Sequence, residues 1–147
     1  MPLTLEYAFT VTVELGEPRE VGTTYAGFRR VIPIAGGTVD GPALTGEVLP
    51  GGADWNLVRP DGAVHVWARY EIRSADGAVI TVVNEGLADP AGPPGGGAAR
   101  ACPTHPVFEV PEGGPTWLNT AFFAGRLSLP TEPGDPVAVD VHRILAQ

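Results

Sequence analysis

Few residues in this chain suit proton transfer, nucleophilic attack or metal binding, and spacing removes most of those. His65, His105 and His142 lack the spacing of metal ligands, and the single cysteine, Cys102, adds no further set, so no metal site is expected. Ser74 and Ser128 stand in no G-x-S-x-G elbow. Gly95-Gly96-Gly97 lacks the Lys-Ser/Thr that completes a phosphate loop. Cys102 and His105 are close enough in sequence for a thiolate–imidazole pair, although a lone thiol more often has no catalytic part. Carboxylates, phenols and amides remain. Asp54 follows Gly51-Gly52 and precedes Trp55. At a barrel mouth beside an indole it would be partly desolvated, which raises a carboxyl pKa and suits general acid–base work. The competing reading has Asp54 bonding backbone N–H groups of its own turn. Tyr70 offers a polar tip on an otherwise apolar strand face, either orienting a ligand oxygen or serving as a core tyrosine. Asn84 and Asn119 are amides that either hold a carbonyl or enolate oxygen or cap turns. Glu109 is a possible second carboxylate, with nothing to fix its distance from Asp54. Arg69 is assigned to the opposite strand face, in an ion pair across or along the strand.

Strands must position these groups. The chain holds 20 Gly and 16 Pro, spread so that little uninterrupted length remains for a helix. Leu3, Leu5, Tyr7, Phe9, Val11, Val13 and Leu15 alternate with mostly polar residues, predicting a long strand with those seven on its buried face. Further strands are read over Tyr25–Ile34, with Pro33 at an edge or bulge, and over Thr38–Leu49, bent at its glycines. Gly36-Gly37 and Pro50-Gly51-Gly52 read as turns, with a short strand over Asp54–Arg59. Ala63–Arg73 carries Val64, Val66, Ala68, Tyr70 and Ile72 on one face. Asp76-Gly77 closes a hairpin to Ala78–Asn84. Thr104–Val110, Trp117–Phe123, Arg126–Leu129 and Val137–Leu145 complete the set. Residues 89–99 (DPAGPPGGGAA) read as a flexible loop. The expectation is an all-β fold, one antiparallel β-barrel domain of about nine strands over residues 1–147, with a central cavity. Glycines inside strand patterns favour a barrel over a sandwich, because closure needs curvature.

A hydrophobic content of 44% and a charged content of 18% suit a folded chain. The net charge of −8 argues against nucleic acid or an anionic membrane as partner. One cysteine excludes an intrachain disulfide and favours a reducing compartment. The N-terminus lacks the basic and apolar regions of a signal peptide, and no stretch approaches the roughly 20 apolar residues of a membrane-spanning helix. A cytoplasmic location is expected.

The block GGTVDGPALTGEVLPGGADW (residues 36–55), then ARYEIRSADGAVI (68–80), Asn84 with Gly86, Thr104, Pro106, Phe108-Glu109 and Trp117-Leu118-Asn119 resembles the DUF3237 (UPF0311) family in order and spacing. The departure lies in the Pro/Gly loop and at Ala101-Cys102-Pro103, where many relatives carry aromatic and arginine residues. The resemblance implies a small β-barrel with a cavity and no particular reaction. It tips Asp54 towards catalysis and Asn84 and Asn119 towards ligand contact. With Trp55, Tyr70, Glu109 and Trp117, the two asparagines form the expected substrate-binding set.

The function these parts suit best is a cofactor-independent small-molecule enzyme using acid–base chemistry, of isomerase, cyclase or hydratase/dehydratase type. An arginine-rich, lysine-poor composition fits a high-GC genome, and specialised metabolism fits with it. The alternatives are a non-catalytic barrel that carries a small organic ligand, and an interaction module using exposed sheet surface around Trp67. A homodimer is compatible with all three.

Overall fold

The computed structural model describes residues 2–92, 101–130, 132 and 134–147. The expected flexible loop lies mostly outside these residues. Its described start is a turn in which the Asp89 carboxylate accepts from the Ala91 N–H at 2.8 Å.

The described residues form nine strands: β1 (Leu3–Leu15), β2 (Arg19–Thr24), β3 (Gly27–Asp40), β4 (Gly46–Val58), β5 (Val64–Ser74), β6 (Val79–Ala88), β7 (Ala101–Glu109), β8 (Phe122–Ser128) and β9 (Val137–Ala146). All neighbours pair antiparallel, in the order β1-β9-β8-β7-β6-β5-β4-β3-β2. A further pairing of β1 with β3 closes an eight-stranded barrel and leaves β2 as an extra strand outside the ring. The closing strand divides its edge. The start of β3 pairs with β2 (Val31 opposite Arg19), and its end pairs with β1 (Ile34 opposite Leu15). Pro33 lies at this handover. Its carbonyl accepts from the Gly16 N–H at 2.8 Å, where the chain passes from β1 to β2, so the missing proline donor costs no ladder bond. Among the described residues no helix is long and apolar enough to cross a membrane.

Several local expectations are corrected. Gly36-Gly37 is no turn but lies within β3, where β1 crosses so closely that a Cβ on Gly37 would meet the Thr12 carbonyl. Pro50-Gly51-Gly52 is likewise inside β4, as a bulge. Thr38–Leu49 is divided between β3 and β4 by a turn, and Trp117–Phe123 by a 3-10 turn over Thr116–Asn119 that precedes β8. β2 escaped notice because its sequence, REVGTT, carries one large apolar residue, Val21, which is itself exposed. Leu3, Leu5 and Tyr7 are exposed rather than buried, because a bulge between Tyr7 and Phe9 turns the start of β1 over.

The two ends of the barrel differ. At the end holding the start of β6 and the end of β7, Phe9, Ile72, Ile80, Val82, Phe108 and Phe123 fill the interior. Phe108 meets Phe9 and Phe123 edge-on, with ring centroids 5.7 and 5.1 Å apart. The 3-10 turn inserts Leu118, which is 2% exposed, into the same cluster. The other end is hollow: a cavity of about 290 Å³ receives side chains from all eight strands of the ring.

Candidate functional site

The cavity wall is built mainly on β3, β4 and β5. Alternation on β5 sends Val64, Val66, Ala68 and Tyr70 into the cavity, the face read from the sequence. β4 reaches the same register through its bulge. Leu49 pairs with Glu71 and Ala53 with Arg69, so Pro50, Gly51 and Gly52 together stand opposite Tyr70 alone. Gly52 has no room for a side chain, since a Cβ there would lie 2.5 Å from the Arg69 carbonyl oxygen and 2.7 Å from the Tyr70 Cα. Past the bulge, Asp54 is the cross-strand partner of Ala68 and shares its inward face.

Asp54 and Asn56, two residues apart, both line the cavity. Next to them the β4–β5 ladder is interrupted, its pairing passing from Asp54 opposite Ala68 to Leu57 opposite His65. The Trp67 N–H donates to the Asp54 Oδ1 instead, at 2.9 Å, and the Trp55 carbonyl accepts from Arg29 Nη1 at 2.8 Å. A short polar chain follows. Arg30 Nε donates to Asn56 Oδ1 at 3.3 Å, and Asn56 Nδ2 donates to Asp54 Oδ2 at 3.3 Å. Arg30 and Asp54 are thus separated by one amide and form no direct ion pair. Burial lifts the Asp54 carboxyl above its ordinary value, against the opposing pull of the Trp67 N–H, the Asn56 amide and the charges of Arg30 and His65.

The remaining polar groups lie deeper. Tyr70 is 4% exposed and burial drives its phenol far above the usual value, so it stays neutral and able to donate. Asn84 is 3% exposed, lines the cavity, and has an Oδ1 with no hydrogen-bond partner among the described residues. Cys102 also faces the cavity; burial, and then the charge of Asp54, push its thiol up, which makes it a poor nucleophile. The rest of the lining is aliphatic, including Ile32, Ile34, Val66 and Val139.

The expected site residues therefore divide. Asp54, Tyr70 and Asn84 come together in the cavity. Trp55 does not: it points outward, 38% exposed, with its ring edge-on to Trp67 at 5.8 Å. Glu109 is exposed on the outer face of β7, because the inward positions of that strand are Cys102, Thr104, Pro106 and Phe108. A second cavity carboxylate is thus ruled out at that position. Trp117 packs on Phe123 at the filled end, under the Arg143 guanidinium. Asn119 is a turn clamp, accepting from the Val110 N–H at 2.8 Å and donating to the Val110 carbonyl at 3.0 Å. Cys102 and His105, three apart on one strand, lie on opposite faces and make no pair. Arg69 is exposed, as expected, but takes part in none of the ion pairs of the described residues, which are Arg59–Asp61, His65–Glu85 and Arg73–Glu47.

Sequence reasoning missed Arg30 and Asn56. For Asn56 the signal was present: it stands two residues after Asp54, the spacing that shares a strand face. Arg30 gave less warning, since the face of each arginine in Arg29-Arg30 depends on a register set by the bulge after Pro33. Among the described residues no group of three or more His, Cys, Asp or Glu side chains is placed to hold a metal ion.

A family model described as a protein of unknown function, DUF3237, matches residues 3–144. A UPF0311 protein of Rhodopseudomonas palustris is 34% identical over 97% of both chains. The crystal structure of a conserved R. palustris protein of unknown function superposes with a TM-score of 0.86 at 34% identity, covering 99% of each chain. A β-barrel-like protein from Acinetobacter baumannii gives 0.84 at 30% identity, over 99% of this chain and 98% of that one. An enzyme from Penicillium herquei shares the fold at a TM-score of 0.74 and 22% identity, over 99% and 96%.

Proposed function

The chain belongs to the DUF3237 family, and from that premise we propose that it is a small-molecule enzyme whose cavity carries out acid–base chemistry through Asp54, without a cofactor. One observation carries the reading: a carboxyl whose pKa is raised by burial stands in the wall of an aliphatic cavity, where the exclusion of water favours its protonated form and fits it to give or take a proton. The unpartnered Asn84 Oδ1 and the neutral Tyr70 hydroxyl are the groups available to orient oxygens or N–H groups of a ligand. At about 290 Å³ the cavity stands at the small end of the roughly 300–1,000 Å³ range of ligand sites, so the partner is a small organic molecule. Isomerisation, cyclisation and hydration or dehydration all use this equipment. The P. herquei neighbour, described as an enzyme, is in keeping with catalysis on such a barrel. A buried, unpaired Cys102 is in keeping with a cytoplasmic location.

Deuterium incorporation into a panel of enolisable ketones in D2O tests the proposal across a class of substrates. The wild type should exchange at least one of them faster than Asp54→Asn by about a hundredfold or more, the usual scale for a general acid or base. Equal exchange by both proteins would remove Asp54 from catalysis. A second reading, carriage without turnover, has one observation in its favour: Asp54 Oδ1 already satisfies the Trp67 N–H at the break in the ladder, a structural task. Under that reading Asp54→Asn binds ligand as before and no exchange is seen with either protein.

A further inference from the structure

Arg30 spends one guanidinium nitrogen on the protein, on the amide of the buried Asn56. Among the described residues that line the cavity it is the one cation. Its Nε is committed to Asn56, while neither terminal nitrogen of the guanidinium has a protein partner among the described residues. The ion pairs of those residues leave it out. Its neighbour Arg29 shows the contrast, spending Nη1 on the Trp55 carbonyl to stitch the interrupted ladder. A part-buried guanidinium in the wall of an aliphatic cavity, fixed by one nitrogen, keeps two terminal nitrogens for a carboxylate, whose two oxygens match two parallel N–H donors.

Building on the reading of the cavity as a ligand site, we propose that its ligand is an apolar organic acid, and that Arg30, steadied by Asn56, holds the ligand carboxylate at the cavity mouth. The aliphatic walls of Ile32, Ile34, Val66 and Val139 take the apolar body. Asn56 keeps the cation and Asp54 one amide apart, so the held carboxylate leaves Asp54 free to face the adjoining carbons. The overall charge of −8 repels anions at a distance, but salt screens that field within about 8 Å at physiological strength, and contact with Arg30 then decides.

Calorimetric titration with three probes of one shape tests the proposal: 2-naphthoate, 2-naphthalenemethanol and 2-naphthylmethylammonium. The wild type should bind the naphthoate about tenfold to a hundredfold tighter than the alcohol, the scale of a charge-assisted hydrogen bond. Arg30→Gln should level the two, and Arg30→Lys should keep part of the preference. Should Arg30→Gln not fold, the order of the three probes on the wild type and on Arg30→Lys still decides. Equal binding of naphthoate and alcohol, or preference for the ammonium, would overturn the carboxylate assignment while leaving the cavity as a ligand site. Binding of none of the three would overturn that reading as well.

Discussion

Two adjacent glycines in the β4 bulge should respond to the same substitution through different physics. At Gly52 an alanine methyl would lie 2.5 Å from the Arg69 carbonyl oxygen and 2.7 Å from the Tyr70 Cα, and would also meet the Tyr70 Cβ. Two of these three atoms belong to the backbone of the neighbouring strand, so no rotamer change relieves the clash. Overpacking typically costs about 1–3 kcal/mol, and a clash with backbone belongs at or above the upper figure. For a chain of this length roughly 3 kcal/mol lowers the melting temperature by about 6–12 °C. At Gly51 nothing lies within 4 Å of the added carbon, and the obstacle is conformational, a φ of 117°. That strain costs about 1–3 kcal/mol, offset by about 0.4–1 kcal/mol from the stiffer unfolded chain. Thermal and urea unfolding of the two variants should therefore place Gly52→Ala below Gly51→Ala. Amide exchange supplies a readout at the site. Displacing β4 at Gly52 weakens the grip of Asp54 on the Trp67 N–H, whose exchange should accelerate in Gly52→Ala and not in Gly51→Ala. A Gly52→Ala protein that melts within about 2 °C of the wild type, an interval of roughly 1 kcal/mol or less, would refute the bulge as the device that aims Asp54.

Three other predictions concern the site and its borders. Because burial raises the Asp54 carboxyl, the folded state binds more protons than the unfolded one between the unfolded and folded pKa values, and stability falls as pH rises through that window. The melting temperature of the wild type, measured against Asp54→Asn, should rise as pH is lowered from neutrality and level off once it passes below about 4, the ordinary aspartate value; a relative decline would mean that partners outweigh burial. Cys102, buried with its thiol pushed up, should resist a thiol-reactive dye at neutral pH and label promptly in guanidinium, and rapid labelling of the native protein would contradict its placement. Asn119→Ala should cost about 1–3 kcal/mol by leaving the Val110 N–H and carbonyl unpaired, whereas Glu109→Gln on the outer face should stay within about 0.5 kcal/mol of the wild type; chemical denaturation of both variants checks the contrast.

How much of this was legible in the sequence depends on the distance over which each feature is decided. The inward face of β5 was legible because alternation from Val64 to Ile72 runs without interruption, and a period of two is independent of the neighbouring strands. The same rule failed on β1, where one extra residue between Tyr7 and Phe9 put Leu3, Leu5 and Tyr7 outside. Bulges are invisible to periodicity, since the pattern of residue types continues unbroken while the chain turns over. Glycine supplied the opposite error. Pro50-Gly51-Gly52 has the composition of a turn, and its role as a bulge is dictated by Tyr70 on the next strand, which a local reading does not see.

The cavity residues follow the same logic. Asp54 was found for its desolvation, which holds, though the indole invoked for it points the other way and aliphatic residues do the burying. Asn84 and Asn119, indistinguishable as amides in sequence, part company because Asn84 projects from a strand into the hollow end, whereas Asn119 lies beside Val110 at the filled end, where two backbone groups take up its hydrogen bonds. An amide whose partners are within ten residues is settled by local geometry. One whose Oδ1 remains unpartnered inside a closed barrel has its desolvation cost uncompensated by the protein, and a cost of that kind is most simply met by a ligand. Arg30 differs in degree: it is part-buried, and its terminal nitrogens have no partner among the described residues. Asn84 and Arg30 are thus the cavity groups with polar atoms that have no partner among the described residues, and that property is set by strands distant in sequence.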